Sequence, residues 1–344
     1  MKTILVLLLA CSLLGYTNAN INDEILLKEK PGTFKITYGI LIGQGPDQYG
    51  KSRDYTKAES DAATKNLVTL VDIFRRNPVL KEVKGYDGYC YLNGGRCNMK
   101  LGYGLPSIPC FFFEEWSLRK GKAVKQTSEP PQWRFEVNMT DKFCSNGFNV
   151  SSFQNEYRPT NAAYNEQSVY KVAIELRELF YLPGKKEVVS SGIDRYGDNL
   201  IFFNPDRPEY WSQVTIREVF QLLMDYWKMA PDKIQVEAMM PILVKEFSGF
   251  SEDEKDGFAY FGNPESISRI GSKKNEMPVM RPNPDYWNRK LPRSAIQFMW
   301  LEIPPKEIVK SKMDERWKRQ DGYYYVSRLL YELDVKDLLP IIEK

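Results

Sequence analysis

The apolar residues of this chain change their spacing along its length, and that change limits the possible fold more than any single count. Leu67, Leu70, Val71 and Phe74 fall at i, i+3, i+4 and i+7, the buried stripe of a helix that Asn77-Pro78 is expected to stop. Val219, Phe220, Leu223 and Tyr226 repeat the spacing behind the capping box Thr215-Ile216-Arg217-Glu218, and Val326, Leu329, Leu330 and Leu333 give a last stripe. Another helix is expected to begin near Pro231 and to be kinked or divided at Pro241, and Lys306 to Arg319 reads as a charged surface helix.

Between these stripes lie short β-branched and aromatic runs closed by turn residues. They are Phe34 to Ile42, the segments from Tyr86 to Val137, Leu200 to Phe203, and Ser294 to Ile303. Tyr170, Val172, Ile174 and Leu176 alternate with Lys171, Glu175 and Arg177, the pattern of a half-buried strand. Helices and antiparallel strands in mixed order make an α+β fold, with a hairpin-rich, disulfide-containing N-terminal half and a mixed strand/helix C-terminal half. No repeat of about 20 to 50 residues recurs, which argues against a solenoid or propeller.

The chain has 344 residues, more than one hydrophobic core usually serves. Lys2 precedes an apolar run from Ile4 to Leu14, broken only by Cys11 and Ser12, and Thr17-Asn18-Ala19 follows with small residues. Residues 1–19 therefore read as a signal peptide cleaved after Ala19, too short to span a bilayer. The alternative is a lipid anchor on Cys11, because Leu8-Leu9-Ala10-Cys11 loosely resembles a bacterial lipobox. The polar stretch from Val150 to Gln167 sets the boundary between a β-rich region, 20–155, and an α+β domain, 156–344. The product is expected to be secreted or periplasmic, with no transmembrane segment.

Loss of the leader leaves Cys90, Cys97, Cys110 and Cys144, an even number in an exported chain, and two disulfides are expected. A two-residue turn at Asn93-Gly94 would set Cys90 opposite Cys97 and leave Cys110 for Cys144. Asn138 and Asn149 head N-glycosylation sequons, relevant only in a eukaryotic host.

Histidine is absent, which removes imidazole bases and imidazole metal ligands. The cysteine spacing offers no zinc motif, so no metal and no cofactor is expected. Gly45 to Ser52 spells a phosphate loop, G-x-x-x-x-G-K-S, but Asp47 and the bulky Gln48-Tyr49 oppose a phosphate cradle, and the spelling reads as a surface loop. Ser117-Leu118-Arg119-Lys120 matches S-x-x-K without its partner motifs.

What remains is a binding surface. Two echoing turns, Asn204-Pro205-Asp206 and Asn283-Pro284-Asp285, each precede a Tyr-Trp pair, and residues 262–294 form a Pro-rich loop with seven basic against three acidic side chains. Asp206, Tyr210, Trp211, Arg281, Asp285, Tyr286 and Trp287 are the candidate binding residues, for a glycan, an anionic ligand or a partner protein rather than nucleic acid. The alternative function is a carboxylate-based glycoside hydrolase drawing on Asp206, Glu209 and Asp285.

Overall fold

The computed structural model describes residues 25–38, 56–94, 103–126, 129–140, 175–176, 178–182, 184–228, 233–262, 268–272, 277–319 and 322–343. The leader, the phosphate-loop spelling, Cys97, Cys144 and Asn149 lie outside the described residues.

Helix α1 (Lys57–Phe74) opens on a capping box. The Thr56 hydroxyl accepts from the Glu59 N–H at 3.2 Å, and the Thr56 N–H donates to the Glu59 carboxylate at 2.8 Å. The helix buries Leu67, Leu70, Val71 and Phe74, the stripe that the spacing predicts. It ends at Phe74, ahead of Asn77-Pro78. Asn77 instead caps a new short helix, α2 (Pro78–Lys81), by accepting from the Val79 N–H at 3.0 Å.

The larger sheet takes the order β1 (Phe34–Tyr38), β2 (Tyr86–Gly94), β3 (Ser107–Arg119), β5 (Gln132–Val137), β14 (Phe298–Glu302), β9 (Asn199–Phe203), β8 (Ile193–Tyr196) and β7 (Lys186–Ser190), with β4 (Lys122–Lys125) hairpinned onto β3. Only the β1–β2 pair among these is parallel. β5 pairs with β14, so the sheet runs unbroken across the boundary that the composition places at 155/156. Helix α1 and a C-terminal helix, α7 (Tyr324–Glu332), contribute to one core with this sheet, where Phe74 meets Phe111 and Phe135 at ring distances of 5.3 Å.

The smaller sheet has the order β10 (Trp211–Gln213), β13 (Met277–Pro282), β11 (Tyr260–Phe261), β12 (Ile270–Gly271), with β6 (Phe180–Tyr181) also on β13. Helices α3 (Ile216–Lys228) and α4 (Lys233–Ser248) share a second core with it. A third, aromatic core joins Phe180 and Trp211 of the smaller sheet to Ile201, Phe298 and Trp300 of the larger. Two further helices are the short α5 (Glu252–Asp256) and the longer α6 (Lys306–Arg319).

Several expectations are corrected. Asn93-Gly94 does not form a two-residue turn: β2 continues through Gly94, which faces Ser107, and Cys90 stands opposite Phe111. Nine consecutive cross-strand pairs, rich in aromatics, outweigh one local turn preference. A two-residue turn stands instead at Lys120-Gly121, between β3 and β4, with φ of 53° and 71° at its central residues. Glu175 and Leu176, expected in a strand, are helical, and Leu176 is buried in the second core. Helix α4 is continuous through Pro241. Residues 262–294 are not simply a loop, because β12 and β13 lie within them and β13 pairs with β10, β11 and β6.

Asn138 is also reassigned. Its side chain is buried, its amide donates to Ala295 O at 2.9 Å, and its carbonyl accepts from the Gln297 N–H at 2.9 Å. A Cβ on Gly104 would stand 2.5 Å from this amide. A glycan does not fit here; the sequon is a buried staple joining β5 to the segment before β14, held at φ 55° as asparagine tolerates.

Candidate functional site

The two Asn-Pro-Asp turns converge, but their aromatics face inward. Asn283 donates to Glu209 O at 2.7 Å, and its backbone N–H reaches Tyr210 O at 3.0 Å. Tyr210, Trp211, Tyr286 and Trp287 are all buried in the third core, with Tyr210 and Trp211 at 4.8 Å and Tyr286 and Trp287 at 5.4 Å between rings. The Tyr286 hydroxyl donates to Gln297 O. These four residues hold the two sheets together and offer no aromatic face to a ligand. Asp206 and Asp285 remain exposed on their turns, each with its N–H tied to the preceding asparagine's carbonyl oxygen at 3.0 Å.

Beneath the first turn lies a charged network that the sequence does not mark. The Asp194 side chain is only 2% exposed, accepts from the Tyr210 hydroxyl at 2.7 Å and pairs with Lys186 at 3.1 Å. The Tyr196 hydroxyl stands 3.2 Å from that of Tyr210, and Lys186 reaches Glu209 at 3.1 Å. Burial, reinforced by Tyr196 and Asp194, pushes the Tyr210 hydroxyl far above its usual range, so it stays a donor. Burial opposes the charge on Lys186, but its bonds to Asp194 and Glu209 win and raise its pKa. The network is a buried brace with one exposed end.

Of the candidate residues, Arg281 stands at a cavity. It lines a cleft of about 530 Å³ with Glu175, Glu178, Leu179, Arg217, Glu218 and Leu222. Helix α3 builds its floor for a local reason. Thr215 and Glu218 form the capping box that the sequence predicts, with the Thr215 N–H 2.9 Å and its hydroxyl 2.9 Å from the Glu218 carboxylate. The second Glu218 oxygen takes Arg281 of β13 at 3.1 Å. Partial burial would raise the Glu218 pKa; the Thr215 bonds and Arg281 override it and hold the carboxyl below its ordinary value.

Arg217 turns away from the cleft's acids to pair with Asp256 at 2.6 Å and Glu252 at 2.9 Å. Both guanidiniums of the wall are thus neutralised in place. Glu175 and Glu178 add two further carboxylates, Glu178 nearly fully buried, while Leu179 and Leu222 supply apolar surface. Acidic and apolar side chains thus share the cleft's lining with two paired guanidiniums, Arg217 and Arg281.

No protein-family model, curated protein or solved structure matches the chain. Glu175, Glu178 and Arg217 carry no motif spelling and were missed by sequence reasoning; only the Thr215–Glu218 capping box pointed to this end of α3.

Proposed function

We propose that this chain is an exported, non-catalytic binding protein whose cleft beside α3 receives a cationic group on an apolar stem, such as an alkylammonium. The observation that carries the reading is the state of Glu218. A carboxylate-based hydrolase needs one carboxyl kept protonated at working pH. Glu218 is held below its ordinary range by Thr215 and Arg281, so it is not that proton donor. Asp206 and Asp285, the carboxylates nominated for hydrolysis, sit on exposed turns whose aromatics are buried elsewhere.

Export after Ala19 belongs to the same reading. Among the described residues no helix is long and apolar enough to cross a membrane. In an oxidising compartment the four cysteines of the mature chain pair. Cys90 and Cys110 are buried free thiols in the structure. They stand on neighbouring register positions of β2 and β3 and so face opposite sides of the sheet, Cys90 with the first core and Cys110 toward Gln132. They do not bridge each other, and each takes its partner from Cys97 and Cys144.

Calorimetric titration of the full chain with hexylammonium chloride tests the site, with hexanol as the neutral control. Hexylammonium is expected to bind and Glu175→Gln to weaken it about tenfold, the loss of one charged partner. Equal affinity for hexanol, or reducing-sugar release from a polysaccharide panel that Asp206→Asn or Asp285→Asn abolishes, overturns the reading.

A further inference from the structure

Helix α4 carries apolar side chains on two faces and buries only one of them. Val236, Leu243 and Phe247 fall at i, i+7 and i+11 and pack into the second core, where the Phe247 ring lies 5.4 Å from that of Phe220 on α3. The opposite face holds Ile234, Glu237, Ala238, Pro241, Val244 and Lys245, at i, i+3, i+4, i+7, i+10 and i+11. Every one of these is exposed, Ile234 at 80% and Val244 at 46%. A helix that is apolar on both sides is ordinarily covered on both.

The charges on the open face identify what covers it. Glu237 stands four residues before Pro241 and Lys245 four after, one turn to either side of the apolar centre. Among the described residues neither side chain belongs to an ion pair. A two-fold axis requires that where residue i of one copy meets residue j of the other, j also meets i. With two α4 helices antiparallel and the axis at Pro241, Glu237 of each copy lies level with Lys245 of the other, Ala238 lies level with Val244, and Pro241 meets itself. The face is its own complement. A parallel pairing in register would set Glu237 beside Glu237 and Lys245 beside Lys245, like charge against like. Ala238 and Pro241 lose no rotamer freedom on burial, so the centre orders at little entropic cost.

We infer that α4 is a surface for a second copy of this chain, paired antiparallel about a two-fold at Pro241 with Glu237 and Lys245 exchanging ion pairs across it. A single helix pair lies at the low end of interface sizes, below about 1,200 Å², so the dimer is weak, with a dissociation constant on the order of 10 to 100 µM. The interface is independent of the α3 cleft, whose lining takes no residue from α4.

The test is sedimentation velocity of the full chain from about 2 to 200 µM, which spans that constant. The weight-average mass is expected to climb from monomer toward dimer. Glu237→Lys and Lys245→Glu each set like charges across the two-fold and are expected to weaken the dimer about tenfold or more. The Glu237→Lys/Lys245→Glu double variant re-forms both pairs with the signs exchanged, and is expected to return to within about threefold of the parent. Val244→Asp puts a charge into the apolar centre and is expected to hold the chain monomeric. All three side chains are exposed, so the variants keep the parent's fold, which their melting temperatures check. A parent that stays monomeric at the highest concentration overturns the proposal. So does a dimer that the single charge reversals leave unchanged, or one that the double variant fails to restore. Cosedimentation of a monomeric chain with phosphatidylcholine vesicles, lost in Val244→Asp, would assign the face to a membrane and overturn it equally.

Discussion

Two ion-pair networks, one on β7 and β8 of the larger sheet and one between α3 and α5, are built from the same chemistry and separated by burial. In one, Lys186 meets Asp194, whose side chain is 2% exposed. In the other, Arg217 meets Glu252 and Asp256, which are 72% and 67% exposed. The exposed network shows the shorter contacts and a strong titration effect, with Lys255 and then Arg217 pulling Glu252 down to about 2. Contact length and pKa shift would rank it first. Desolvation reverses the ranking: a buried carboxylate stripped of its partners has no water to return to, whereas an exposed one does.

The largest expected effect is therefore at Asp194. Asp194→Ala strands the Tyr210 hydroxyl and one end of Lys186, and is expected to cost about 3 to 5 kcal/mol in urea unfolding. A loss under about 1 kcal/mol would place the network with the exposed class. Asn138 sharpens the same point with a neutral group. Asn138→Ala frees the Gln297 N–H and the Ala295 carbonyl in a buried place and puts alanine at a positive φ, for an expected loss of about 2 to 3 kcal/mol in the same measurement.

How much of this was legible in the sequence follows the range of each signal. Helix stripes and caps are local, so the buried faces of α1 and α3, the Thr215–Glu218 box and the bounds of Lys306–Arg319 were all readable. The echo of the two Asn-Pro-Asp turns was visible in the sequence, but not that the turns meet. Their burial was not, because it depends on β10 pairing with β13 roughly seventy residues later, Trp211 opposite Pro282. Aromatics beside a turn look alike whether they face a ligand or a second sheet. The hairpin at Asn93-Gly94 failed for the complementary reason: a strong local preference yielded to strand pairing that extends past it.

Glu218 lies between the two networks in exposure and gives a pH test. Its folded pKa is depressed from the ordinary 4.5, so its contribution to stability is complete above that value and is lost as pH falls toward the folded pKa. The melting temperature is expected to decline below about pH 4.5, and Glu218→Gln to flatten part of that decline while lowering the plateau slightly. An unchanged acid limb would show that the Arg281 pair does not persist in solution.

The smallest effect is the sharpest test of what burial decides. Glu252 and Asp256 both hold Arg217 at hydrogen-bond distance, and Lys255 adds a contact to Glu252 at 2.7 Å. All of these carboxylates are open to solvent, so removing them returns Arg217 to water and releases side chains that the pairs had held. Glu252→Gln with Asp256→Asn is expected to leave the melting temperature unchanged within error in 0.15 M salt. The same double variant frees the Arg217 guanidinium at the wall of the α3 cleft, so it adds positive charge to a site that favours cations. Hexylammonium binding is expected to weaken while stability holds. A drop in stability as large as that of Asp194→Ala would show that the exposed network carries the fold, and the contrast drawn between the two would fail.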